Sequence, residues 1–229
     1  MTETARREPD GRTALLQSMN DRRSGLPKQR HSQEQVEKVL RALPSHGWPA
    51  GWLGRRDRAL LVLSQVAQLP YASIAALTAG ELQIADGVAS IRTPGGMTRV
   101  RRNEDGLICG PCALARWVHA LDLTVVYPDG RVIAAVIARA VPLTAHSPHL
   151  CDSNNTITEV TGRLAVLPPI DQWGHPVRTV STRSAVSRPI HGRDVIRSRA
   201  ATRLAEPLDA REEQRANSLE QRVEMLLDH

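Results

Sequence analysis

Phenylalanine is absent from this chain, and aromatic residues make up only 3% of its 229 positions. A core built without them must be aliphatic, packed from Leu, Val, Ile and Ala, and a hydrophobic share of 41% is enough to build one. No apolar run approaches the roughly 18–20 residues needed to span a bilayer, so no membrane partner is expected. The polar start, Met1 to Arg30, contains no apolar stretch of the kind that drives secretion. Three cysteines, Cys109, Cys112 and Cys151, are too few and too odd in number for a disulfide framework, and point to a reducing, cytoplasmic compartment. Also missing are a Gly-rich phosphate loop, a GxSxG elbow and an HExxH pair, and neither Asp57 nor Asp86 has an evident carboxylate partner for acid–base work.

Lysine is nearly absent too, occurring only at Lys28 and Lys38, so the net charge of +6 is carried by arginine. A guanidinium is a planar fork that matches phosphate oxygens two at a time. An arginine-rich composition also produces ordinary solvated faces, so charge alone does not name a partner.

Residues 1–30 read as a disordered basic tail, with Arg6, Arg7, Arg12, Arg22, Arg23, Lys28 and Arg30 and little apolar periodicity. Ser32 and Gln35 have capping-box spacing, and Val36, Val39, Leu40 and Leu43 then share one helical face until Pro44 stops it. Asp57 is read as the N-terminal anchor of a second helix, buried on all sides through Ala59–Leu63; a short third helix follows Pro70 with Ile74 and Leu77 inward. The period then changes to two. Val88–Arg92, a Pro94-Gly95-Gly96 turn and Thr98–Arg102 predict a β-hairpin whose arms carry Arg92, Arg99, Arg101 and Arg102. A helix is expected from Cys112 to Leu121. Residues 122–166 read as a poorly specified insertion in which Val132–Ala140 is helix or strand. Short helices are expected at Val180–Val186 and Asp194–Ala205, and a last one at Ala210–Leu227 with Leu219, Val223, Leu226 and Leu227 inward. The scattered Trp48, Trp52, Trp117 and Trp173 read as core or edge anchors.

Cys109-Gly110-Pro111-Cys112 has the spacing of half a zinc knuckle, and His146, His149 and Cys151 could complete a tetrahedron. The same spacing suits a redox pair at a helix start. The favoured reading is neither: two small residues packed under the hairpin, with no metal and no cofactor. Cys109, Cys112, His149 and Cys151 remain the metal alternative.

The order of these segments resembles the catalytic domain of the tyrosine recombinases (the phage integrase family) over about residues 32–121 and 168–229. The capped helix is followed by Arg56-Asp57-Arg58-Ala59-Leu60-Leu61, and Leu69–Thr78 is similar to the family's Leu-Arg-x-x-Glu-Leu-x-x-Leu segment. The hairpin resembles the β-turn that bears the family's lysine, and Ala113-Leu114-Ala115-Arg116-Trp117 follows in order. Pro169–Gly174 and Ser181–Val186 resemble the link into the second half, Asp194–Arg197 the His-x-x-Arg box, and Leu226–His229 the Leu-Gly-His box. The resemblance implies a mainly α fold with a small β-hairpin or sheet, in a domain spanning residues 31–229.

In that family a tyrosine attacks a DNA phosphodiester, two arginines stabilise the added charge, and a lysine and histidines move protons. Here Pro70 stands at the first arginine, Ser73 at the acidic residue, Pro94 or Met97 at the lysine and Asp194 at the first histidine. Arg197 and His229 alone match catalytic positions. Losing one such arginine would cost about 3 kcal/mol of transition-state stabilisation, by analogy with an oxyanion-hole donor. The nucleophilic tyrosine follows the last box in the family and is not expected here, since Tyr71 and Tyr127 fall far upstream. The resemblance therefore implies a degenerate, truncated, DNA-binding recombinase relative that does not cleave DNA. Its phosphate contacts would be Arg92, Arg99, Arg101, Arg102, Arg183, Arg188, Arg193 and Arg197. The alternative is a protein-interaction module or vestige that has lost DNA binding and pairs with another protein or its own copies. A zinc-stabilised form of either is a third.

Overall fold

Ser32 opens the first helix as its spacing predicts: its Oγ accepts from the Gln35 backbone N–H at 3.2 Å. Helix α1, Gln33–Ala42, buries Val36 and Leu40, and the chain turns extended at Leu43 ahead of Pro44. The computed structural model describes residues 31–127, 130–169 and 208–228. The basic tail, the helices expected at Val180–Val186 and Asp194–Ala205, Trp173, Asp194, and the candidate contacts Arg183, Arg188, Arg193, Arg197 and His229 lie outside the described residues.

Asp57 does not begin the second helix. Helix α2 spans Ala50–Leu61 and runs on through a π-helical turn, Val62–Val66. Gly51 and Gly54, one turn apart, let the backbone of His46 and Pro44 lie directly on the helix, where any Cβ would collide with it. Arg58 is buried in the same corner; it donates to the Pro44 carbonyl at 2.8 Å and to the Leu43 carbonyl, closing the end of α1. Asp57, mid-helix and 2% exposed, takes a two-pronged ion pair from Arg222, 165 residues away. An aspartate ahead of an apolar run looks like a cap, and only the tertiary fold reveals its partner.

Helix α3, Tyr71–Ala76, buries Tyr71, Ile74 and Ala75, with Leu77 buried just beyond it. A capping box between Thr78 and Glu81 then leads into a strand not anticipated from the sequence, β1, Leu82–Ala85. It pairs antiparallel with β2, Val88–Thr93, which pairs with β3, Gly96–Arg101, in the order β1-β2-β3. The predicted hairpin is thus β2–β3, and β1 joins through a two-residue turn in which Asp86 and Gly87 both have positive φ. The sheet buries Leu82, Ile84, Ala89, Ile91 and Val100.

Helix α4, Gly110–Val126, is the central element and longer than expected, with Leu114, Trp117, Ala120 and Leu121 fully or nearly fully buried. Trp117 packs on Trp52 of α2 at a ring separation of 5.0 Å, and its indole N–H donates to the Val166 carbonyl at 2.6 Å. Both rings are core anchors. Helix α5, Gly130–Ala138, settles the ambiguous apolar stretch as a helix, with Ile133 and Ile137 inward. The short α6, Glu159–Gly162, is followed by a bridge from Ala165 to Thr78, so the region read as an insertion returns to the core. Helix α7, Leu208–Leu227, lies against α3 and buries Leu219, Val223 and Leu227, with Leu226 half-buried. The described residues are therefore mainly helical with one small antiparallel sheet, and among them no helix is long and apolar enough to cross a membrane.

Two substitutions test this packing. A Cβ on Gly110 would sit 2.7 Å from Val100 Cγ1 and 3.3 Å from Val62 Cγ1, so Gly110→Ala should lower unfolding stability by about 1–3 kcal/mol. Arg222→Leu should lower it by about 3 kcal/mol by leaving the Asp57 carboxylate buried with Arg56, 3.8 Å away, as its one remaining cation among the described residues. Urea denaturation with an unchanged midpoint for either variant would contradict the assigned packing.

Candidate metal centre and basic sheet face

The Cys-Gly-Pro-Cys segment forms the first turn of α4. Cys109 is its N-cap, Pro111 occupies an early position where a missing N–H costs nothing, and Cys112 lies one turn on. Three residues of spacing in a helix bring both sulphurs to one side. The other arm is a short 3-10 turn, Leu150–Asp152, which delivers Cys151 and, from just before it, His149.

The four ligand atoms lie within 4.8 Å of one another. Cys112 Sγ is 3.3 Å from Cys151 Sγ and 3.3 Å from His149 Nδ1, and Cys109 Sγ is 3.9 Å from Cys151 Sγ. All three cysteines are fully buried and His149 is half-buried. The far ring nitrogen, His149 Nε2, stands 3.2 Å from the Glu104 carbonyl; a proton there is donated to that oxygen and leaves the Nδ1 lone pair facing the sulphurs. His146 is exposed and stays out of the cluster.

The thiols do not titrate alike. The Cys109 S–H holds the Cys112 sulphur well below the usual thiol range, against the opposing effect of burial, with help from the Cys151 backbone N–H. Cys109 is pushed up by the same bond and by burial; burial, then the neighbouring Cys112, pushes Cys151 up. The expected picture of two small residues under the hairpin covers Cys109 and Cys112 but leaves His149 and Cys151 unexplained.

The hairpin arginines are brought together in part. Arg92, Arg99 and Arg101 are exposed on the outward face of the sheet, beside Gln83 and Ser90; Ser90 is directly across from Arg99. No ion pair links these three to any carboxylate among the described residues. Arg102 turns away and pairs with Asp152, 2.7 and 2.9 Å from its two oxygens. Of the expected recombinase positions, Pro70 precedes α3, Ser73 lies within it, and Pro94 and Met97 are exposed on the hairpin. Tyr71 is buried, its phenol pushed up to about 12 by burial and then by Glu220 and Glu224, whereas Tyr127 is exposed.

Sequence reasoning missed the carbonyl of Glu104, and no side-chain signal could have shown it. It also missed Arg116, buried beside the cluster, which reaches the Gly106 and Pro148 carbonyls at 3.4 and 3.3 Å and ties the two arms together. Comparison with protein-family profiles, curated proteins and solved structures finds no match to this chain.

Proposed function

We propose that this chain is a recombinase-like protein that binds DNA through the outward face of its three-stranded sheet and does not cleave it. The observation that carries the reading is the group of exposed guanidiniums at Arg92, Arg99 and Arg101, which have no ion-pair partner among the described residues. Arg99 and Arg101 alternate along β3, so their Cα atoms stand about 6.6–7 Å apart on one face. Arg92 projects from the neighbouring strand. Gln83 and Ser90 between them add neutral hydrogen-bonding groups. A charged β-ribbon fits the width of the major groove, and phosphate contacts from such a surface position the protein without specifying a sequence. The reading against cleavage rests on Pro70 where the family places an arginine, on Pro94 and Met97 where it places a lysine, and on the burial of Tyr71.

Binding to a random-sequence duplex should weaken steeply with salt, and Arg99→Ala with Arg101→Ala should reduce the slope of log K against log salt by about 2. A flat salt response, or an unchanged slope in the double variant, would count against the sheet face. Incubation with a suicide DNA substrate should leave no covalent protein–DNA product; a trapped adduct would sink the non-cleaving reading.

A further inference from the structure

We propose that Cys109, Cys112, His149 and Cys151 bind one zinc(II) ion in a closed structural site that clamps the segment from Val141 to Thr158 onto the start of α4. A tetrahedral zinc with Zn–S of about 2.3 Å and Zn–N of about 2.0–2.1 Å separates its ligand atoms by about 3.8 Å between sulphurs and about 3.6 Å between sulphur and nitrogen. The observed separations of 3.3, 3.3 and 3.9 Å scatter around those values. Three sulphurs and an imidazole are a borderline-soft set that suits zinc better than magnesium or calcium. Their span of 4.8 Å encloses a single ion. Four protein ligands leave no open position, which is the mark of a structural rather than a catalytic zinc.

Two further observations point to an ion. One is the outer shell: His149 presents Nδ1 to the sulphurs while Nε2 is held by the Glu104 carbonyl, the arrangement that orients a metal-binding histidine. The other is the segment itself. From Val141 to Thr158 the chain has no regular structure beyond one 3-10 turn and a single bridge from Asn155 to Ile84, and Cys151 is its one buried side chain. A stretch of that length without its own core needs an anchor, and the cysteine is where one would act. A Cys112–Cys151 disulfide would use two of the four groups and give no role to Cys109 or to the imidazole. Zinc binds the cysteines as thiolates, so each thiol proton leaves to solvent as the ion enters, and no electrons are transferred.

The full chain, purified under reducing conditions and analysed by plasma mass spectrometry, should contain one zinc per chain. A mercurial reagent that blocks thiols should release it. Replacement with cobalt(II) should give the visible bands of a tetrahedral ion and a near-ultraviolet thiolate charge-transfer band. His149→Ala should weaken metal binding about 10-fold or more, since loss of a mere outer partner already costs about 10–100-fold. His149→Cys should keep the metal and strengthen the charge-transfer band by a fourth thiolate, a result that misfolding would not give. Protein without bound metal that fails to take up added zinc would overturn the proposal. So would a Cys112–Cys151 disulfide in freshly lysed cells, or metal binding unchanged in His149→Ala.

Discussion

The first turn of α4 is packed without room for a side chain at Gly110, and the neighbouring elements meet there. Gly110 touches Val100 of β3 and Val62 of the π-helical turn, so sheet and helix pair close on a residue with no side chain. In the same turn Cys112 meets His149 and Cys151, and about two turns on from Gly110 Trp117 meets Trp52 and the Val166 carbonyl. A helix buried on nearly every side cannot shift to accommodate one neighbour without disturbing the rest. In a core with no phenylalanine, Trp52 and Trp117, their rings tilted 60° to each other, supply bulk that aliphatic side chains alone would have to replace.

The segment carrying His149 and Cys151 connects this crowded turn to the proposed DNA face. Backbone bonds from Gly87 to the Cys151 carbonyl, 2.8 Å, and from Asn155 to the Ile84 carbonyl, 3.0 Å, stitch it to the end of the sheet. Asp152, next to Cys151, holds Arg102. A metal fixing Cys151 would therefore also hold in place the carboxylate that pairs with Arg102 at the end of β3.

Elements that owe their form to local chemistry were legible in the sequence. The Ser32 cap, the Pro44 stop, the period-two hairpin and the inward face of α7 follow from capping, periodicity and turn preference, although the hairpin turn is Pro94-Gly95 alone, with Gly96 already paired to Thr93 in β3. Contacts between distant segments were not. Asp57 reads as a cap because its partner Arg222 lies far along the chain, and β1 is only four residues long, too short for alternation to announce it. The cluster was half visible: Cys109-Gly-Pro-Cys112 and His149-Leu-Cys151 each have ligand spacing, but joining them requires knowing that the intervening helix α5 and loop bring the ends back together.

The most direct test is X-ray absorption at the zinc edge of the full chain in solution. The account predicts a first shell of three sulphurs at about 2.3 Å and one nitrogen at about 2.0–2.1 Å. A first shell of oxygen and nitrogen alone would contradict it, because the ion would then be bound somewhere other than Cys109, Cys112, His149 and Cys151.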